Sequence, residues 1–230
     1  KLPRGAFPFT RALAKAGLSF ICECKKASPS KGLIAPEFPY LRIAREYEAA
    51  GADGISVLTE PKWFLGKDEY LQSIAKTVKT PCLRKDFTVD EYMLYEAKVL
   101  GASAVLLICA ISTTEELETY LQICTRLGLS ALVEAHTEEE IRQALAAGAQ
   151  IIGVNNRNLK DFSVDTHNSA KLRALIPSEV LFISESGIKT KEDVAAVKAM
   201  GADGVLIGEA LMRSGNIAAS LAEFKEAAHD

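Results

Sequence analysis

The sequence lacks any apolar stretch near the ~20 residues that a membrane-spanning helix requires. No N-terminal segment reads as a signal peptide. An excess of basic charge is also missing. Lys and Arg number 27 against 30 Asp and Glu, a formal net charge of -3, which argues against nucleic acid as a partner because such binding needs a basic face. A small anion stays compatible, since a few local cations or helix N-termini suffice to hold it. Cysteine is sparse and scattered. Cys22, Cys24, Cys82, Cys109 and Cys124 form an odd set without the spacing of a disulfide framework. Four of them sit in or beside apolar runs, where a thiol packs as a small hydrophobe. Cys22-Glu23-Cys24 has no second Cys/His pair at ligand spacing, so no metal is expected. A reducing, cytoplasmic setting fits this usage.

Linkers, low-complexity tracts and long charge runs are absent too, so the 230 residues read as one domain over 1–230. With 48% hydrophobic and 25% charged residues, the chain has the means to bury a core. Eight short apolar runs are predicted as strands: 19–25, 54–58, 81–85, 104–109, 130–134, 151–155, 180–184 and 204–207. Continuous apolar runs of this length fit strands buried on both faces of a parallel sheet. Amphipathic stretches alternate with them, at 41–50, 69–77, 90–100, 115–127, 137–147, 165–175, 191–200 and 216–228. Thr137, followed three residues later by Glu140, reads as a helix cap. A weak repeat joins helix to strand in Ala50-Gly-Ala-Asp, Leu100-Gly-Ala-Ser, Ala147-Gly-Ala-Gln and Met200-Gly-Ala-Asp, with glycine where a helix needs a left-handed end. One βα unit repeated eight times gives the fold class: α/β, a single (β/α)8 TIM barrel with an extra N-terminal helix near Phe7-Pro-Phe-Thr. That helix is expected to plug the barrel bottom or to lie across an end. A doubly wound open sheet is the alternative, disfavoured because no Gly-rich phosphate turn follows the first strand.

Active-site groups of such a barrel sit at the C-terminal ends of its strands. Here the runs end in Glu23-Cys-Lys25, Lys85-Asp86, Glu134, Asn155-Asn-Arg157 and Glu185-Ser186. Alternate residues face the axis, so Glu23 pairs with Lys25, Lys85 with Leu83 and Glu134 with Leu132. Two lysines and several carboxylates at one mouth suit general acid–base work, and a second nearby cation can lower a lysine's pKa. Strand-end salt bridges are the bland reading of any one of them. Ser186-Gly187 and Gly208 follow the last two strands, where barrels bind phosphate, and Ser28 to Gly32 adds hydroxyls and a cation. Asp86 is read as a loop tether, Trp63 as packing at the barrel rim, His136 as a loop or rim residue, and His167 and His229 as surface.

The segment Phe20-Ile-Cys-Glu-Cys-Lys-Lys-Ala-Ser-Pro-Ser-Lys-Gly32 resembles the signature of the indole-3-glycerol phosphate synthase family. Ser56-Val-Leu-Thr-Glu60 with Phe64, Arg84-Lys-Asp-Phe87, Leu132-Val-Glu134, Gly153-Val-Asn-Asn-Arg-Asn158, Ile183-Ser-Glu-Ser-Gly187 and Leu206-Ile-Gly208 follow in family order. The resemblance implies conversion of 1-(2-carboxyphenylamino)-1-deoxyribulose 5-phosphate to indole-3-glycerol phosphate, CO2 and water, without cofactor or metal. It implies that Lys85 is the acid for ring closure and that Lys25 pairs with the substrate carboxylate and serves the dehydration. Glu134 is then the base or the stabiliser of the cationic intermediate, and Glu23 orients Lys25. Asn155 and Glu185 hold sugar hydroxyls or the lysines. Ser28, Ser186, Gly187 and Gly208 line the phosphate, Arg157 joins the substrate contacts, and Phe64, Phe87, Leu106 and Leu132 wrap the anthranilate ring.

Glu209 beside the phosphate glycine is expected to point away, leaving the backbone N–H to bind. An N-terminal extension (1–17) shorter than the family's is expected, with a consequent loss of full activity. The partner is a phosphorylated small molecule, the state a monomer, and other tryptophan-pathway enzymes are possible associates. Two other functions stay open at this point. One is a lysine-dependent aldolase forming a Schiff base on Lys25 or Lys85. The other is a truncated or engineered barrel that binds phosphate esters without turnover.

Overall fold

The computed structural model describes residues 7–158 and 162–228; His229, read from sequence as a surface residue, lies outside them. Eight parallel strands close on themselves: β1 (Ser19–Cys24), β2 (Gly54–Leu58), β3 (Cys82–Lys85), β4 (Ala104–Ile108), β5 (Ser130–Ala135), β6 (Ile151–Asn155), β7 (Leu181–Glu185) and β8 (Gly204–Ile207). Each pairs with its sequence neighbours, and β8 returns to β1 with Ser19 opposite Gly204. The (β/α)8 barrel is therefore the fold, and the open-sheet alternative falls because the sheet has no edge.

Strand parity divides the core into two layers. Ile21, Leu83, Leu106, Leu132, Ile183 and Leu206 fill the barrel interior. Phe20, Cys22, Val57, Val105, Val133 and Phe182, each one residue out of step, meet the helices instead. The helices are α1 (Pro8–Leu13), α2 (Tyr40–Ala49), α3 (Asp68–Thr77), α4 (Glu91–Leu100), α5 (Thr114–Leu127), α6 (Glu138–Ala146), α7 (His167–Arg173), α8 (Lys191–Ala199), α9 (Glu209–Arg213) and α10 (Ile217–Ala227). The repeated Gly-Ala step behaves as expected: Gly51, Gly101, Gly148 and Gly201 all take positive φ at the turn from helix to strand.

Helix α1 is the bottom plug. Phe9 and Leu13 are buried among the inward residues, and the Thr10 N–H donates to Ser130 Oγ (3.2 Å) at the start of β5. Gly54 makes room for this plug, since a Cβ there would lie 2.8 Å from the Phe9 ring.

Strand boundaries differ from the sequence expectation by a residue or two. Lys25 lies just beyond β1, Cys109 opens a short 3-10 turn (Cys109–Ile111), and β7 runs one residue later than predicted. Helix α7 is shorter than the predicted 165–175. Two features went unpredicted. Ala27–Ser28 pairs with Gly32–Leu33 in a small antiparallel ribbon over the mouth, and the five-residue α9 follows β8. Both are too short for periodicity to reveal.

Candidate active site

Inward parity delivers a charged layer to the C-terminal mouth. Glu23 on β1 is 2% exposed, forms an ion pair with Lys25 and accepts a hydrogen bond from Ser56 Oγ (3.4 Å). Burial pushes its carboxyl up, but the ammonium groups of Lys25 and Lys85 outweigh that and hold it below the usual glutamate value. Across the barrel, Lys85 Nζ lies 3.4 Å from Glu134 Oε2 and 3.9 Å from Glu185 Oε2. Desolvation opposes its charge, yet Glu134, Glu185 and Glu23 together raise it above the ordinary lysine value. The depression of a lysine by a second cation is thus not what happens at Lys85, because carboxylates outnumber cations around it. A lysine held as ammonium is a proton donor and a poor Schiff-base nucleophile, which weighs against the aldolase reading.

Glu185 is the odd member. Its Oε1 is buried without a hydrogen-bond partner among the described residues, directly over Gly153, where any Cβ would overlap it. Desolvation first, then the Glu134 charge, push its carboxyl up to about 8 against the pull of Lys85. The site therefore combines a lysine held as ammonium with a glutamate whose carboxyl keeps its proton more tightly than usual.

Asn155 ends β6 and its Oδ1 accepts the Arg157 N–H (3.0 Å), while the Arg157 guanidinium donates to Phe162 O (3.1 Å) at the rim. Its neighbour Asn156, which sequence reasoning passed over, points outward and is buried. Its amide donates to Ser184 Oγ (3.2 Å) and Ser186 O (3.1 Å), and its carbonyl accepts from the Ser169 N–H and hydroxyl (3.0 and 2.8 Å). Asn156 thereby fixes the turn in which Ser186 holds φ 65, unusual for a residue with a side chain.

A cavity of about 1420 Å³ opens above this layer. Ser28, Ser186, Gly187, Gly208 and Arg157 line it on the polar side; Phe64, Phe87 and Leu106 line the apolar side. The Phe64 and Phe87 rings lie 6.3 Å apart. Leu132 does not line it. It is fully buried two residues below Glu134 on the same face, one layer beneath the floor, while Leu58, Ile108 and Leu206 complete the wall. Glu60, quoted in the motif without a role, accepts the N–H groups of Lys62 (2.8 Å), Trp63 (2.6 Å) and Phe64 (2.9 Å), and so shapes the loop that presents Phe64. Trp63 is an exposed rim residue under Lys62 Nζ. Asp86 tethers as expected, accepting from Thr59 Oγ1 (2.5 Å) and from the Phe87 N–H (2.8 Å). Glu209 turns to Arg213, one turn along α9. His136 lies at the rim with its ring turned inward to Glu134, and His167 is exposed beside Asp165. Cys22 and Cys24 face the helical layer, where burial raises both thiols.

The fold and this layer define a (β/α)8-barrel enzyme of the acid–base class, with its chemistry at the C-terminal mouth. A family model described as indole-3-glycerol phosphate synthase matches residues 1–224. Proteins of that name from Ruminiclostridium cellulolyticum and Endomicrobium trichonymphae are similar to the chain. The first is 56% identical over 225 residues, 98% of this chain and 86% of the relative; the second is 59% identical over 218 residues, 95% and 84%. Among solved structures, thiamine phosphate pyrophosphorylase from Pyrococcus furiosus superposes with a TM-score of 0.68 at 18% identity, over 92% of this chain and 96% of that one, a likeness of fold alone. The chain belongs to the indole-3-glycerol phosphate synthase family. It is a decarboxylating carbon–carbon lyase of tryptophan biosynthesis that acts on a phosphorylated small molecule.

Proposed function

We propose that Lys85 is the acid of ring closure and that Lys25 and Glu134 complete the reaction. The observation that carries this reading is the Lys85 ammonium bracketed by Glu134 and Glu185 on the barrel axis. As the ring carbon bearing the carboxylate attacks the ribulose carbonyl, the carbonyl oxygen takes a proton from Lys85. CO2 then leaves, and the electron pair of its bond returns to the ring. Lys25, oriented by Glu23, first pairs with the substrate carboxylate and then protonates the departing hydroxyl. Glu134 accepts the proton whose loss completes the indole, or holds the cationic intermediate. Preorganised charge of this kind costs no rearrangement during the reaction.

Asn155 and Glu185 hold sugar hydroxyls. A protonated Glu185 is able to donate as well as accept there. Backbone N–H groups at Gly187 and Gly208, with the hydroxyls of Ser28 and Ser186, receive the phosphate, and Arg157 adds a cation at the rim. That Glu209 is drawn aside by Arg213 favours this arrangement. Phe64, Phe87 and Leu106 take the aromatic ring, and Leu132 supports them from below. We further infer a monomer working in the cytoplasm, with other tryptophan-pathway enzymes as possible associates.

The test is turnover of 1-(2-carboxyphenylamino)-1-deoxyribulose 5-phosphate, followed by indole-glycerol fluorescence. Lys85→Ala is expected to lower kcat by about a thousandfold or more with the fold intact. A variant that keeps wild-type kcat would remove Lys85 from the mechanism.

A further inference from the structure

Glu134 has two neighbours, and the proposed reaction uses only one. Its Oε2 faces Lys85, while its Oε1 lies 3.4 Å from His136 Nε2, a buried ring nitrogen with no hydrogen-bond partner among the described residues. From these contacts we infer that His136 is a positioning residue: it holds the Glu134 carboxylate from the side opposite Lys85. This rests on the reading of Glu134 as the working carboxylate.

His136 is itself held at three points, one on its ring and two on its backbone. Its Nδ1 lies 3.2 Å from Glu140 Oε2, and the His136 backbone N–H donates to the same oxygen (2.6 Å). Its carbonyl accepts from Asn168 Nδ2 (3.1 Å) on α7. Helix capping gives independent support. At α5 and α8, a capping Thr and the acidic residue three positions on satisfy each other in a closed box. At α6, Thr137 still accepts the Glu140 N–H, but the Glu140 carboxylate reaches past the cap to His136. The helix forgoes the reciprocal bond, and the ring gains a fixed acceptor. A carboxylate on each side of an imidazole favours its charged form. Despite burial, these carboxylates raise His136 above the ordinary histidine value.

The charged and titratable groups facing the Glu140–His136–Glu134 string are Glu185 from β7, Lys85 from β3 and, packed against Glu140, Cys109 after β4. When ionised, Glu185 adds negative charge beside the imidazole, and the Lys85 ammonium opposes it.

The test combines kinetics with imidazole titration by NMR, which is tractable because the chain has three histidines. Glu134→Gln, His136→Gln and Glu140→Gln are compared with wild type. We expect His136→Gln to lower kcat about 10- to 100-fold with KM little changed, the mark of a misaligned reacting group rather than lost binding. Glu140→Gln, which keeps the imidazole, shows a smaller loss of the same kind. The His136 resonance is expected to titrate above the ordinary range in wild type and to fall in both Glu134→Gln and Glu140→Gln. These spectra do not depend on how well His136→Gln folds. If Glu134→Gln abolishes turnover while His136→Gln keeps wild-type kcat and His136 titrates normally in every protein, the inference is overturned and the reading of Glu134 stands. If Glu134→Gln turns over like wild type, both fall together.

Discussion

Glu185 shows how a single missing atom sets up chemistry. Its carboxyl group occupies the space where any residue but glycine at position 153 would carry a Cβ, and one oxygen has no hydrogen-bond partner among the described residues. Desolvation and the nearby Glu134 charge raise it from the ordinary 4.5 to about 8. The folded state therefore binds this proton more tightly than the unfolded chain does. The stability it contributes is full below about pH 4.5 and is lost as pH rises through about 8. Glu185→Gln keeps the shape and cannot ionise. Its melting temperature relative to wild type is expected to climb by several degrees between about pH 5 and pH 9 and to stay level below that window. Thermal scans across pH check this; a constant difference would mean that Glu185 ionises at its ordinary value.

Elements carry the positioning. The loop between β2 and α3 has little regular structure, and three of its N–H groups converge on Glu60. Glu60→Ala leaves these donors unsatisfied, at about 1–3 kcal/mol for each one that stays out of water. Because the loop presents Phe64 to the cavity, the expected outcome is a KM raised about tenfold and faster protease cleavage near Trp63, with kcat at saturation less affected. A KM equal to wild type would detach the loop from substrate binding. Arg84, one residue from Lys85, works on the opposite face of the same strand. Its guanidinium joins Asp68 on α3 (2.9 Å) and Glu96 on α4 (2.8 Å), and it donates to Thr59 Oγ1 (3.2 Å). The motif Arg84-Lys-Asp-Phe thus splits by parity into an outward clamp and an inward acid.

At the scale of the whole molecule, the two ends of the barrel are built from different chemistry. The mouth holds the charges, and the bottom is sealed by Phe9 and Leu13 against the inward aliphatic layer. Phe9→Ala is expected to cost about 3–5 kcal/mol of unfolding free energy, read as a lower midpoint in urea, with kcat preserved in the population that remains folded. A loss of kcat without a loss of stability would couple the plug to the mouth.

The sequence by itself determined the eight-strand alternation, the helix ends at the Gly-Ala steps and the polar strand ends. Period and parity are local properties, written within five or six residues. It also carried the family motifs, so Lys25, Lys85, Glu134 and Glu185 were legible as one mouth. Tertiary structure alone decided what those groups are to one another. Lys85 is raised because β5 and β7 bring two carboxylates to it across the barrel. Leu132 drops below the floor by one step of strand geometry. Asn156 and Glu60 support the site from outward and loop positions that no period marks. His136 meets Glu134 because the chain turns after β5. Distances of this kind depend on closure of the barrel, which sums register over all eight strands and is not contained in any one of them.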